Sequence, residues 1–180
     1  MKKDEQLLEL FFNEPTKHWH FEELLKKASI SRPQAVRWLK QFEQEGLVRR
    51  VKQCGKHPYY LGNWEHPAYR NRKRLYALEY FYKTGFLNHL ESLRGAHTVI
   101  IFGSFGRWDW HNGSDIDLFI FGDDAALEYG EYRKKLKREI QVFTAKTRVE
   151  LRRFSPGLLA NIADGFVVKG TTQFQGTPHA

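Results

Sequence analysis

A single cysteine, Cys54, stands among 180 residues, so no internal disulfide framework is available and any core must come from apolar packing. No run of about 18 apolar residues occurs, and no stretch combines positive charge, an apolar segment and a small-residue cleavage site. Neither a membrane span nor a secretory signal is expected, and the expected location is the cytoplasm. Zinc-type Cys/His spacing is also missing: His97, His111 and the pair His18 and His20 have no cysteine partners, which favours structural or solvent roles. Cys54 itself reads as an incidental small residue. Apolar material is plentiful. Hydrophobic residues make up 41%, with 14 Phe, 8 Tyr and 5 Trp, too much large apolar surface for a disordered chain.

The net charge of +8 is unevenly placed. Residues 1–65 carry 12 basic and 9 acidic side chains, residues 66–97 carry 6 and 2, and residues 98–180 carry 11 and 10. A basic first half suits a polyanionic partner, because lysines and arginines that neutralise phosphates release counterions. A merely solvated basic surface is the alternative that charge leaves open.

Along the chain, Leu7, Leu8, Phe11 and Phe12 recur at helical spacing until Pro15 disfavours continuation. Phe21, Leu24, Leu25 and Ala28 define a second helix. Ser31 can cap a third, with Pro33 in its first turn, and its expected buried stripe is Val36, Leu39 and Phe42, joined by Trp38, up to Gly46. Leu47–Val51 and Tyr59–Leu61, separated by Cys54-Gly55-Lys56-His57-Pro58, read as a hairpin with a basic tip. This order, carried by WLKQFEQEGLVRRVKQCGKHPYYL, resembles the winged helix-turn-helix family. The resemblance implies that the third helix enters a major groove while the wing contacts the backbone. Carried over, Gln34, Arg37 and Lys40 face bases or phosphates, and Arg49, Lys52 and Lys56 contact phosphates; DNA is the implied nucleic acid. Winged helices also serve as protein docking modules.

Residues 66–95 read as a linker helix, breakable around Thr84-Gly85, with an apolar stripe of Leu75, Leu78, Phe81 and Tyr82. The cluster Arg70, Arg72, Lys73 and Arg74 at its start either extends the basic surface or is simply solvated.

Thr98–Phe102 is an unbroken apolar run that meets Gly103-Ser104 at once. Ten residues lie between Ser104 and Asp115-Ile116-Asp117, which opens a second apolar run, Leu118–Phe121. Side chains alternate along a strand, so Asp115 and Asp117 share a face, with Cα atoms about 7 Å apart. Two such carboxylates, partly dehydrated, need cations. Magnesium fits, because it takes hard oxygen ligands, keeps waters and is shared with substrate phosphates. Gly103 admits a close phosphate, Ser104 offers amide and hydroxyl, and Arg107 can neutralise a further phosphate oxygen.

The order strand, Gly-Ser, ten residues, Asp-x-Asp, strand, present as GSFGRWDWHNGSDID, resembles the DNA polymerase beta nucleotidyltransferase superfamily. Within it, residues 97–170 look like the minimal nucleotidyltransferases of archaea and bacteria, many of which follow a winged-helix domain. The resemblance implies an α+β chain: a winged helix-turn-helix over 1–65, the linker helix over 66–95, a small mixed-sheet nucleotidyltransferase domain over 96–170 and a flexible tail over 171–180. It implies transfer of a nucleoside monophosphate from a nucleoside triphosphate such as ATP to an acceptor hydroxyl. Gly103, Ser104 and Arg107 would bind nucleotide, and Asp115 and Asp117 would hold magnesium, with two ions expected.

Active members of this superfamily add a third carboxylate from a later strand, here Arg138–Phe143 after a helix over Ala125–Lys137. Gln141 stands at the position where that acid is expected, and an amide cannot act as a base. Glu139 either substitutes as the third catalytic carboxylate or the site lacks one. The acceptor is open: a partner protein such as a HEPN-type toxin, an RNA end or a small molecule. A homodimer is compatible with this reading, and no membrane partner is expected. The alternative to an enzyme is a DNA-binding regulator whose weakened nucleotidyltransferase fold senses nucleotide or mediates dimerisation.

Overall fold

The computed structural model describes residues 2–172, so the expected tail falls, from residue 173 on, outside the described residues. The fold mixes helices with two sheets. Two compact units are present: residues through Tyr76 together with Trp110–Asn112, and Ala77–Asp109 together with the chain from Gly113. Among the described residues, no helix is long and apolar enough to cross a membrane.

The first unit runs α1 (Lys3–Asn13), β1 (Trp19–His20), α2 (Phe21–Ala28), α3 (Arg32–Gln44), β2 (Val48–Val51) and β3 (Tyr59–Gly62), then the start of α4 (Pro67–Lys83). Helix α1 buries Leu7, Leu8, Phe11 and Phe12 and stops two residues before Pro15, whose ring disfavours helical geometry in the residue ahead of it. In α3, Ser31 precedes the first turn and its backbone N–H donates to Gln34 Oε1 at 3.0 Å. This reciprocal cap satisfies an otherwise orphaned donor. The helix ends at Gly46, whose φ of +73° is left-handed backbone, while Leu47 N donates to Phe42 O at 2.8 Å. Closure of this kind favours glycine.

Strands β2 and β3 pair antiparallel from Val48↔Gly62 to Val51↔Tyr59, and β1 adds to the far side of β3 in the order β1-β3-β2. The expected stripe of α3 is corrected by one position. Ala35, Leu39 and Phe42 are buried, while Val36 is 57% exposed, because positions i, i+4 and i+7 share a face and i+1 is turned about 100° away.

Helix α4 departs further from expectation. Its buried positions are Tyr69, Lys73, Tyr76, Ala77 and Phe81, whereas Leu75 and Tyr82 are 58% and 64% exposed. Lys73, expected in a solvent-facing basic cluster, is only 3% exposed. Its ammonium donates to the Trp110 carbonyl and lies over the rings of Trp110 and Tyr69, at 4.5 and 5.8 Å from their centroids. A lysine stem buries well, and cation–π contact with a carbonyl acceptor offsets the cost of dehydrating the charge. Replacing Lys73 with Ala removes the charged donor from the Trp110 carbonyl and its contact with the two rings. The expected loss is about 1.5–3 kcal/mol of stability, read as a lower denaturant midpoint with unchanged slope; an unchanged midpoint would show the contact to be idle.

The second unit holds the end of α4, α5 (Phe86–Ser92), β4 (Ala96–Phe102), α6 (Gly103–Arg107), β5 (Ile116–Gly122), α7 (Tyr129–Leu136), β6 (Ile140–Ala145), a 3-10 turn (Glu150–Arg153), α8 (Pro156–Ala163) and β7 (Phe166–Lys169). Helix α7 is shorter than the expected helix, and β6 sits two residues later than the expected strand. The sheet order is β6-β5-β4-β7, with β5 and β6 parallel and the other pairs antiparallel. One face carries Ile100, Phe102 and Phe119, packed with Ala145, Leu151 and Ile162 and against Phe154, Leu158 and Leu159. The last five of these belong to or flank the 3-10 turn and α8, which therefore cover that face.

Candidate active site

The Gly-Ser turn and the paired aspartates meet because β4 and β5 are neighbours. Phe102 pairs with Asp117, and the chain turns at the next residue into the short α6. Gly103 has φ +65°, and a Cβ built there would lie 2.0 Å from Asp117 Oδ2 and 2.9 Å from its Cγ. The Asp117 carboxylate therefore rests directly against the glycine backbone, and a side chain at 103 would take its place. Asp115 lies just ahead of β5, and Asp117 lies within it. By alternation Asp117 leaves the sheet on the face of Phe119, which α8 covers.

On the other side of β5, Asp117 pairs with Gln141 of β6. The Gln141 amide Nε2 donates to Asp115 Oδ2 at 2.7 Å, so Gln141 is the β6 residue that reaches the aspartates. Glu139 is turned elsewhere. Its carboxylate is held by Arg133 of α7, with Nε donating at 2.9 Å, in a pair about half exposed on both sides. Its backbone carbonyl accepts from Ile116 N at 2.9 Å. The structure thus brings Gln141, and not Glu139, to Asp115. The reason is local: α7 ends so that Arg133 faces Glu139, and the strand begins one residue later.

Arg107, at the end of α6, donates from Nε to Asp109 Oδ2 at 3.2 Å and from a terminal nitrogen to Asn161 Oδ1 of α8 at 3.0 Å. These bonds hold an exposed guanidinium in place; Asn161 carried no signal in the sequence. The Asp117 carboxyl is pushed above the ordinary carboxylate range, chiefly by burial and then by the neighbouring Asp115 charge, with Arg107 opposing. A half-buried pair of like charges of this kind favours a bound cation. Among the described residues, no group of three or more His, Cys, Asp and Glu side chains is gathered as a metal site. Two carboxylates are what this site offers. That set fits magnesium, which fills its remaining positions with water and substrate phosphate.

The family model described as Polymerase beta, Nucleotidyltransferase matches residues 87–168, just under half of the chain. This stretch is a polymerase beta-type nucleotidyltransferase domain. The matched span takes in all but the first residue of α5, both halves of the site and most of β7, so every residue of the nucleotidyltransferase motif described above lies inside it. A solved structure of a mutant of the toxin-antitoxin MntA-HpeT is similar at 16% identity, over 56% of this chain and 75% of that one, with a TM-score of 0.35. None of the curated proteins matches the chain.

The candidate nucleic-acid contacts singled out in the sequence lie in the first unit. Arg37 and Lys40 are exposed on α3, and Arg49, Lys52 and Lys56 are exposed on and beyond β2. Arg49 lies over the Trp64 ring at 5.2 Å, and Arg37 over Trp38 at 5.5 Å. Gln34 stands in the first turn of α3, where its Oε1 accepts from Ser31 N at 3.0 Å in the cap of its own helix.

Proposed function

We propose that the protein is a magnesium-dependent nucleotidyltransferase that moves a nucleoside monophosphate from a nucleoside triphosphate to an acceptor hydroxyl. The observation that carries this reading is the Asp117 carboxylate seated on the Gly103 backbone, with Asp115 beside it. Asp115 and Asp117 would hold magnesium, which supplies charge for the phosphates and for the departing pyrophosphate. The Gly103 turn and Ser104 would receive the triphosphate, and Arg107, fixed by Asp109 and Asn161, would meet a phosphate oxygen. In the transfer the acceptor oxygen bonds the α-phosphorus, the bond to the bridging oxygen breaks, pyrophosphate leaves, and the hydroxyl proton passes to solvent. Gln141 supplies no base for that proton; its amide instead orients Asp115.

The first unit reads as a winged helix-turn-helix that binds nucleic acid, with three helices followed by an antiparallel hairpin as support. Arg37 and Lys40 on α3 and Arg49, Lys52 and Lys56 on the wing would contact phosphates or bases. The exposed Val36 on α3 adds an apolar contact of the kind that meets a thymine methyl.

The second reading is a nucleic-acid-binding regulator whose nucleotidyltransferase domain holds nucleotide without turning it over. Gln141 is the observation in its favour. One experiment separates the two: purified protein, magnesium, each α-labelled triphosphate and cell extract as the source of acceptor. The transferase reading expects a labelled product, sized to reveal protein or RNA, that is lost in Asp115→Asn. It also expects Gln141→Glu to raise the rate about tenfold or more, since a positioned base contributes on the order of 10²–10⁴-fold, and Glu139→Gln to leave it unchanged. No product from the wild type or from Gln141→Glu, with nucleotide still bound, would establish the regulator.

A further inference from the structure

Beside the wing lies a groove of about 510 Å³, formed by β1 with the residue ahead of it and by the turn from β2 to β3. Its walls carry three imidazoles, His18, His20 and His57, with Lys56, Gln53 and Tyr59. No carboxylate is among them. The His18 ring stacks on Tyr59 with centroids 3.9 Å apart and planes 21° from parallel, and His18 is exposed, so the outer face of the stack is open. The Lys56 ammonium has no ion pair among the described residues. Lys17, close by in sequence, is by contrast taken up by Glu23 at 2.8 Å and Glu14 at 3.8 Å. Among the described residues no trio of His, Cys, Asp or Glu is placed to hold a metal, so the imidazoles are left as donors and ring faces.

An open aromatic face beside a free ammonium fits a planar ring that carries negative charge. We propose that this groove takes one unpaired nucleotide: its base stacks on His18, and its phosphate meets Lys56 and His57. Bases within a duplex already have both faces covered, so only a strand end, an overhang or a free nucleotide can offer a face to His18. The proposal deepens the reading of the first unit as nucleic-acid-binding and rests on it for the overhang. Stacking on such a platform tolerates any base, so the preference is for an unpaired nucleotide and is independent of its sequence. An acidic peptide would match the ammonium but would leave the stacked face unused.

The test uses the full chain and fluorescence anisotropy at fixed salt. The probes are a blunt duplex, the same duplex with a two-nucleotide 5′-phosphorylated overhang, and that overhang made abasic; adenosine monophosphate and a short polyglutamate compete. Expected is about tenfold tighter binding of the overhang than of the blunt duplex, lost with the abasic overhang and in His18→Ala, whose blunt-duplex affinity stays that of the wild type. Equal affinity for blunt and overhanging duplexes, or a preference that survives His18→Ala, overturns the strand-end proposal. Displacement by polyglutamate and not by adenosine monophosphate overturns it in favour of an acidic protein partner. If no duplex binds at all, the nucleic-acid reading of this unit fails. The groove is then judged by adenosine monophosphate alone, through chemical-shift changes of the histidine rings. Shifts abolished by His18→Ala assign it to free nucleotide, and the absence of shifts removes it.

Discussion

Asp117→Asn is expected to reduce nucleotide transfer on the order of a thousandfold and, in the same protein, to raise the melting temperature measured without metal. The first effect follows from losing one of two carboxylates that would hold the cation. The second follows from the position of Asp117, half-buried beside Asp115, where its carboxyl is raised above the ordinary range by burial and by its neighbour. A carboxyl whose folded-state pKa lies above its unfolded value costs nothing while both states are protonated. It costs the fold increasingly as pH rises through the interval between the two values, and the full cost is present above the folded one. Near neutral pH the metal-free wild type carries that cost and Asp117→Asn does not. Magnesium should reverse the order by raising the melting temperature of the wild type and leaving the variant unmoved. The check is thermal denaturation of both proteins with chelator and with magnesium. A variant that melts lower than the wild type in chelator would show that Asp117 is structurally favourable, and would remove the physical reason for a cation there.

Gly103→Ala is expected to fail more broadly. At φ +65° an L-residue pays about 1–2 kcal/mol, or roughly 2–8 °C in a chain of this length, before any collision is counted. The new methyl would also lie 2.0 Å from Asp117 Oδ2, and a contact that short is relieved only when the carboxylate moves. Transfer activity should therefore fall by at least as much as in Asp117→Asn, even at temperatures where the variant is fully folded by circular dichroism. Ser104→Ala, which removes a hydroxyl without adding an atom, should leave the melting temperature within about 1 °C of the wild type, as expected where a surface change disturbs no packing. If Gly103→Ala were to keep wild-type activity, the seating of Asp117 on the turn would have no bearing on the chemistry.

The parts of this site that were legible in the sequence are those set by short-range geometry. Gly103-Ser104 and Asp115-x-Asp117 flank two apolar runs, and strands that pair with Phe102 opposite Asp117 bring them together without help from distant residues. The third position was legible as a question, because Gln141 and Glu139 stand two residues apart; Gln141 lies in β6 and Glu139 just ahead of it. The competing partner decided it: Arg133 on α7 takes Glu139, and no spacing rule reports which residues a helix end will face. Asn161 stayed hidden for the same reason, as its bond to Arg107 spans 54 positions.

Helix phase accounts for most of the remaining differences. Val36 and Leu75 were expected inside because a β-branched or aliphatic residue suits a core, yet Ala35 and Lys73 hold the buried positions. Hydrophobicity gives a stripe its width but fixes its angle poorly when alanine and a lysine stem also fit. Strand β1 is two residues long, too short for any alternation to show.

The sheet of the second unit has a consequence for the way the chain is made. Strand β7 pairs with β4 through Val99↔Lys169, Ile100↔Val167 and Ile101↔Phe166, partners about 70 positions apart. During synthesis β4, β5 and β6 leave the ribosome well before β7, and until Phe166–Lys169 emerges one flank of β4 is an open apolar edge. Such an edge is a template for pairing with another chain, and closing a pair this remote is slow. The nascent protein therefore passes through an interval in which Val99, Ile100 and Ile101 are exposed to its neighbours on the same messenger.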